Sequence, residues 1–302
     1  MKETPTSPAP EESFEAQRPR LLRLAYRILG SMADAEDVLQ EAFLRWSDRH
    51  DEARSAEAYL HTIVTRLSID RRRTVEAAKE TYIGPWLPEP LVEQPGTNTM
   101  EREEEISLAF MVVLESLNPT ERAAFVLRRA FDFDYREIAE ILDKSEANCR
   151  QLVSRAEAHV HAERPRFETN RAVADQMTDA FVQACHGGDM DSLLEMLTAD
   201  AVLYSDGGGK ASAAMVPILG ADKVARLFLG IFRKRPSDVS LCRLNVNGMP
   251  GIAAIQGGQV VTLFTLEFVD GRITNCYVFR NPEKLARATA VAAGLSPGED
   301  LT

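Results

Sequence analysis

From Phe14 to about Thr74 apolar residues return every three or four positions, no proline follows Pro19 and Gly30 is the single glycine. That pattern predicts an all-helical domain. Within Asp34–Asp48 the residues Leu39, Ala42, Phe43 and Trp46 share one helical face, while Asp37, Glu41 and Leu44 project from the other. A following helix over Tyr59–Arg73 places Leu60, Ile63, Val64 and Leu67 on one face and ends in Arg71, Arg72 and Arg73.

The period stops between about Glu76 and Asn98. Gly84-Pro85-Trp86-Leu87-Pro88-Glu89-Pro90 and Pro95-Gly96 stand there, and proline both removes a backbone donor and disfavours helix in the residue before it. This stretch is expected to be a linker. Helical spacing resumes near Met100 and runs to about Glu163. It includes a helix over Pro119–Arg129, with Asn118 or Thr120 available as its cap. Tyr135–Leu142, the turn Asp143-Lys144-Ser145, and Glu146–His159 then make a helix-turn-helix pattern. Its second helix would bury Cys149, Leu152, Val153 and Ala156, turning Ala147, Asn148, Arg150, Gln151, Ser154 and Arg155 outward.

From about Asn170 the character changes. Two amphipathic helices, a glycine-rich turn and a helix over Ala221–Arg233 precede strands at Val260–Val269 and Ile273–Phe279, joined by the hairpin signal Asp270-Gly271. This is the pattern of an α+β domain.

A chain of 302 residues has room for two or three such domains, and its 45% hydrophobic and 27% charged composition is that of a globular protein. No apolar run is long enough to cross a bilayer, and the polar, Pro-rich start lacks the form of a signal peptide, so a cytoplasmic protein is expected. Cys149, Cys185, Cys242 and Cys276 follow no disulfide or metal-ligand spacing and read as buried, reduced thiols. No cofactor or metal site is expected. The formal net charge of -11 argues against holding DNA by charge alone. The distribution qualifies this: Arg71–Arg73 and Arg122, Arg128 and Arg129 are basic clusters, while acid collects at Glu93, Glu101 and Glu103–Glu105. Basic patches in an acidic background fit modest intrinsic DNA affinity supplemented by a partner. The acidic run itself either mimics DNA or solvates a linker, the plainer reading.

Two ordered motif sets carry a resemblance. DAED..Q..FL, YL.TI and ID.RR resemble region 2 of the extracytoplasmic-function sigma factors, and NPTERAAFVLRRAFDFDYREIAEIL..S.ANCRQLVSRA resembles sigma region 4. The resemblance covers about the first 165 residues and implies region 2 over 14–75 and region 4 over 100–165, behind a disordered lead at 1–13 and separated by the 76–99 linker. It implies that Asp34, Glu36, Asp37, Gln40, Glu41 and Leu44 dock on the beta-prime clamp of core RNA polymerase. Tyr59, His61, Arg66, Arg71, Arg72 and Arg73 would capture the melted -10 element, where aromatic and basic groups suit single-stranded DNA. Tyr59 stands where the family usually has Trp and Arg66 where Asn is common, differences that bear on which promoter sequence is read. Lys144, Ser145, Asn148, Arg150, Gln151, Ser154 and Arg155 would contact the -35 element in the major groove, with region 4 near the beta flap.

Sigma factors of this type normally end near residue 165. The segment 170–287 resembles the SnoaL-like branch of the NTF2-like fold, a cone around a pocket, followed by a flexible tail at 288–302. Trp86-Leu87-Pro88-Glu89-Pro90, Asp206-Gly207-Gly208-Gly209-Lys210 and Asn281-Pro282-Glu283-Lys284-Leu285 resemble the signatures of the SigJ-like group, in which such a domain is fused to the sigma regions. Three glycines permit positive φ and close backbone approach, so the turn would hold an anion or a neighbouring segment, with Asp206 and Lys210 at its ends. A tight turn closed by that charge pair is the alternative. Trp86 between prolines is a rigid anchor of the kind interfaces favour.

The expected protein is a sigma factor, monomeric when free, that binds core polymerase and promoter DNA and no membrane. Its C-terminal domain regulates it by packing against the linker and the two DNA-binding domains, with a pocket able to take a small molecule. The alternative is an isomerase, cyclase or hydrolase fused to DNA-binding helices, with Asp206 and Tyr204 as acid/base candidates in the pocket. His186, at an apparent helix end, reads as a surface group, and no catalytic residue is assigned.

Overall fold

The computed structural model describes residues 10–50, 55–95, 107–162 and 170–295. The chain divides into two compact units, one made of residues 1–80 and 113–164, the other of 81–112 and 165–302.

Unit 1 is helical. α1 (Pro10–Leu29), α2 (Met32–Arg49) and α3 (Ala56–Lys79) pack with α5 (Pro119–Ala130), α6 (Tyr135–Leu142) and α7 (Glu146–Ala162), a 3-10 turn at Leu114–Ser116 leading into α5. The helices start where short polar side chains satisfy free amides. Ser31 Oγ accepts from Asp34 N, Ser55 Oγ from Ala58 N, and Asn118 Oδ1 from both Thr120 N and Glu121 N. Asp134 and Glu137 form a reciprocal capping box at the start of α6, and Asp143 in the left-handed conformation (φ 53°) ends that helix. Leu21, Leu24 and Ile28 of α1, Leu39 of α2 and Leu60 of α3 are fully buried. Each such side chain contributes about 1.5–3 kcal/mol.

Unit 2 is built on one sheet in the order β1-β4-β5-β6-β7-β2-β3, with β2 and β7 parallel and the other pairs antiparallel. Its elements are β1 (Val92–Glu93), α4 (Leu108–Val113), α8 (Arg171–Gly187), α9 (Met190–Met196), β2 (Leu197–Asp206), β3 (Ile218–Leu219), α10 (Ala221–Arg233), β4 (Val239–Val246), β5 (Met249–Gln256), β6 (Gln259–Val269), β7 (Arg272–Phe279) and α11 (Pro282–Ala293). Asp270 (φ 50°) and Gly271 (φ 73°) supply the turn between β6 and β7. Register shifts in β2, between β5 and β6, and between β6 and β7 are bulges of the kind that bend strands. One face of the sheet packs on α8, α9 and α10 through Phe181, Phe228 and Phe264. The other packs on the linker, the start of α4 and α11 through Leu87, Val92, Leu108, Phe279 and Leu285. The fold class is the expected one in outline, helical throughout the first part and α+β after it, with helices α8 and α9 ahead of the main strands.

Three boundaries differ from the sequence reading. α1 begins at Pro10, inside the expected lead, and α3 runs to Lys79, inside the expected linker. α11 runs to Ala293, so 288–293 belong to the domain rather than a flexible tail: Ala288 is buried against the sheet face. The expected acidic residues Glu101 and Glu103–Glu105 lie outside the described residues.

Candidate functional site

In unit 1 α2 presents Glu36, Asp37, Gln40, Glu41 and Leu44 to solvent, while Asp34 is half-buried. Leu44 is 61% exposed, an apolar side chain held in water on an acidic face. The spacing works because Ala35, Val38, Leu39, Ala42 and Trp46 occupy the buried stripe of the same helix. On α7, Asn148, Arg150, Gln151, Ser154 and Arg155 are exposed opposite buried Cys149, Leu152, Val153 and Ala156, and Lys144 and Ser145 are exposed in the preceding turn. Ser145 Oγ caps α7 through Asn148 N (3.3 Å). Arg150 pairs with Glu146 (2.7 Å) over the ring of Tyr135, and Arg155 pairs with Glu121 (2.7 Å).

The residues expected at the -10 element separate into two groups. Tyr59 is half-buried against Trp46, with ring centroids 5.6 Å apart; Arg71 and Arg73 are exposed. Arg71 donates to Asp34 (2.7 Å), which raises its pKa, so a group expected on DNA is tied to one expected on polymerase. His61 and Arg72, also expected at DNA, are fully buried in this arrangement of unit 1. His61 packs on Phe133, and burial lowers its pKa, with its Nδ1 bonded to Glu57 O. Arg66 is exposed, but its guanidinium donates to Ile141 O (2.8 Å) and Glu140 O (3.2 Å) at the end of α6.

Arg72 belongs to a buried ionic cluster around Glu115. Arg72 Nη2 (3.0 Å) and Arg122 Nη1 (2.7 Å) donate to the carboxylate, as does Lys79. Arg72 also donates to Leu29 O (2.8 Å) and Arg122 to Arg27 O (2.8 Å), so the cluster joins α1, α3 and α5. Burial would push the Glu115 carboxyl up, but Arg122, Arg72 and Lys79 outweigh it and hold it well below the usual carboxylate range. Burial drives Lys79 down to about 8 and Arg122 to about 10. Gly30 (φ +76°) passes so close that a Cβ there would stand 3.0 Å from Glu115 Oε1.

In unit 2 the three sequence signatures converge. Asp206, wholly buried at the end of β2, accepts from Leu87 N (3.0 Å), Tyr82 Oη (2.5 Å) and Lys284 Nζ (2.7 Å). Lys284 also donates to Leu87 O and lies 3.6 Å from the centroid of the Trp86 ring. Trp86 packs edge-on against Tyr82 at 4.6 Å, and Asn281 Nδ2 donates to Tyr82 Oη (3.0 Å). Burial and the bond to Asp206 push the Tyr82 phenol well up. Farther along, Leu91 N donates to Asn247 Oδ1 (3.0 Å), Asn247 N donates to Leu91 O (2.8 Å), and Val92 and Glu93 add strand β1 to the edge of the sheet beside β4. The proline-rich segment is thus clasped from Tyr82 to Glu93 by the α+β domain.

The glycines of the Asp206–Lys210 turn serve this clasp. A Cβ on Gly208 (φ +58°) would meet Asn281 Nδ2 at 2.5 Å and Tyr82 Oη at 2.9 Å, and one on Gly209 (φ +71°) would meet Ile83 at 2.8 Å. Of the two sequence readings of the turn, close approach of a neighbouring segment is the one found. Asp206 and Lys210 do not pair with each other: Asp206 pairs with Lys284, Lys210 with Glu283. Pro88, Pro90, Leu87 and Leu285 are buried, and Glu89 and Pro282 lie beside them in the linker and at the first turn of α11.

Compared with known proteins, residues 14–77 match the family Sigma-70 region 2, and residues 107–160 match Sigma-70, region 4. The chain is 35% identical over 289 residues to the ECF RNA polymerase sigma factor SigJ of Mycobacterium tuberculosis, covering 90% of this chain and 91% of that protein. It belongs to the ECF RNA polymerase sigma factors. The probable ECF sigma factor SigI of the same species is 29% identical, with 93% of this chain and 97% of SigI covered. The crystal structure of M. tuberculosis SigJ superposes with a TM-score of 0.73 at 33% identity, covering 91% of this chain and 97% of that one. The likeness therefore extends through the C-terminal domain of this sigma factor.

A pocket of about 520 Å³ lies on the face of the sheet that carries α10. Leu203 and Ser205 of β2 line it; Tyr204 and Asp206 alternate to the opposite face, where Tyr204 stacks on Tyr277 at 5.7 Å. The acid/base candidates named from sequence are thus not in the pocket, and Asp206 is engaged by the linker. His186 is exposed at the end of α8, against Phe232. The sequence reading missed Tyr82, Asn247, Glu115 and strand β1. An aromatic beside the linker prolines and a carboxylate inside the apolar run Leu108–Leu117 were the available signals. No described helix is long and apolar enough to cross a membrane.

Proposed function

We propose that this sigma factor binds core RNA polymerase through the acidic face of α2 and reads promoters through α3 and α7, in the cytoplasm, under control of its own C-terminal domain. The clasp on the linker carries the regulatory part: the segment that connects region 2 to region 4 is hydrogen-bonded at Leu87 and Leu91 into the fused domain. Polymerase contact rests on Glu36, Asp37, Gln40, Glu41 and Leu44, with Asp34 shared with Arg71. In this reading Tyr59, Arg71 and Arg73 meet melted -10 DNA, and Lys144, Ser145, Asn148, Arg150, Gln151, Ser154 and Arg155, exposed on and before α7, meet the -35 duplex.

Both promoter elements cannot be engaged in the arrangement of unit 1. They lie roughly 85 Å apart at ~3.4 Å per base pair, whereas Arg66 of α3 holds the end of α6 at 2.8 Å. Promoter binding therefore requires α3 and α6 to part, freeing Arg66 for the DNA backbone. The linker must then span the gap, and the clasp limits how much of it is available. The test is run-off transcription on fragmented genomic DNA with purified core polymerase. Defined start sites that appear only with the chain present support the reading; their absence, or tight duplex binding without polymerase, rejects it.

A further inference from the structure

The pocket beside α10 has a charge character opposite to that of the chain. The protein has 46 acidic and 35 basic residues, yet the charged residues lining this pocket are Lys234, Arg235 and Arg280, with no Asp or Glu among them. The rest of the wall is mainly aliphatic and aromatic. Phe228 is fixed edge-on between Phe181 (4.9 Å) and Phe264 (5.3 Å), which makes that wall rigid.

Two of the cations are incompletely satisfied. Arg280 Nη1 donates to Ser212 O, which orients the guanidinium, but Arg280 Nε and Arg235 Nη1 are buried with no hydrogen-bond partner among the described residues. A buried, unpaired donor on a charged group is costly, and natural folds keep such groups paired. The group that pairs guanidinium donors best is a planar pair of anionic oxygens. A cavity of about 520 Å³ is of the size that encloses a small organic molecule.

We propose that this pocket binds a small, mainly apolar carboxylic acid, its carboxylate held by Arg280 and Arg235 and its hydrocarbon or ring portion against Phe228, Leu203 and Phe264. Occupancy reaches the linker by a short route. Arg280 N (2.7 Å) and Asn281 N (2.9 Å) both donate to Asp206 O, and Asn281 bonds Tyr82. The residue that holds the anion is adjacent to one that holds the clasp. This consequence, unlike the binding itself, rests on the regulatory reading above.

Isothermal titration of the full chain, without polymerase or DNA, tests the proposal with octanoate and octan-1-ol, which share a tail and differ in the head group. Wild type should bind octanoate saturably at one site, and octan-1-ol about tenfold or more weaker. Arg280→Gln and Arg235→Gln should each shrink that preference, Arg280→Lys should keep part of it, and Ala254→Phe, filling the cavity, should abolish binding of both. Thermal melts identify any variant that fails to fold, and the preference is then judged on the others. No saturable octanoate binding to wild type, equal binding of the two probes, or binding untouched by Ala254→Phe overturns the proposal. Because the readout contains no transcription, such a failure leaves the sigma-factor reading standing; intact binding without any effect of octanoate on promoter output counts against the regulatory coupling alone.

Discussion

Replacing Asp206 by Ala removes the acceptor on which the linker converges. The side chain is wholly buried and takes hydrogen bonds from Tyr82, Leu87 N and Lys284. Lys284 is only 9% exposed, so the substitution strands a buried ammonium beside the Trp86 ring. Removing one partner of a buried ion pair typically costs about 3–5 kcal/mol. If most of that cost is relieved by releasing the linker, opening becomes more probable by about 100-fold or more, since ~1.4 kcal/mol is a factor of ten. Amide hydrogen exchange reads this directly. Leu87 N, which donates to Asp206, and Leu91 N, which donates to Asn247, should exchange about 100-fold faster in Asp206→Ala, while amides of α5 in unit 1 keep wild-type rates. Asp206→Asn combined with Lys284→Met, a neutral pair of similar size, should recover most of the protection. Wild-type protection of Leu87 in Asp206→Ala would refute the reasoning, because the carboxylate would then not be what fixes the segment.

Other expectations follow from the same geometry. Glu115→Gln should destabilise unit 1 by about 3–5 kcal/mol at neutral pH, because it leaves Arg72, Arg122 and Lys79 without their shared anion. The folded-state pKa of Glu115 lies below its ordinary value of 4.5, so its stabilisation is present above about 4.5 and lost as pH falls further; melting curves should show the gap between variant and wild type closing in acid. Gly208→Val should loosen the clasp, through a left-handed φ of 58° and a clash with Asn281 and Tyr82, seen as a lower melting temperature for unit 2. Leu44→Asp, at a position 61% exposed, should leave stability within about 0.5 kcal/mol and weaken binding to core polymerase about tenfold, read by fluorescence anisotropy. Gln151→Ala should weaken -35 recognition by about 1–3 kcal/mol and relax it at one base pair, measured by competition between duplexes.

The helices of unit 1 were legible because their buried stripes follow the helical period without interruption: Leu39, Ala42 and Trp46, or Leu60 and Val64, announce their faces directly. The outward sets on α2 and α7 follow from the same arithmetic. The fates of His61 and Arg72 were not legible, because a basic residue at a helix end looks the same whether it meets solvent or a carboxylate from a segment 43 positions away. Strand β1 escaped for a similar reason. Val92 and Glu93 form two residues after a proline run, and only their partners Val246 and Asn245, more than 150 positions later, make them a strand. The glycine turn left open whether a segment approaches closely or a charge pair closes it; the answer depended on Tyr82 and Ile83, which carry no periodic signal. Asp206 meets the linker, as the regulatory reading expects, and the alternative that made it a pocket acid/base group fails by one residue of strand alternation: Ser205 faces the cavity and Asp206 the linker.

The most direct test of the central claim is promoter output in a purified system. Run-off transcription with core polymerase and a start site identified for the wild-type chain should be repeated with Asp206→Ala and Trp86→Ala, at sigma concentrations that saturate core polymerase. Release of the linker predicts output that differs from wild type by more than about threefold, a shift of roughly 0.7 kcal/mol in the initiation equilibrium, with core binding unchanged. Wild-type output from both variants, in the presence of demonstrated loss of protection at Leu87, would contradict control through the clasp.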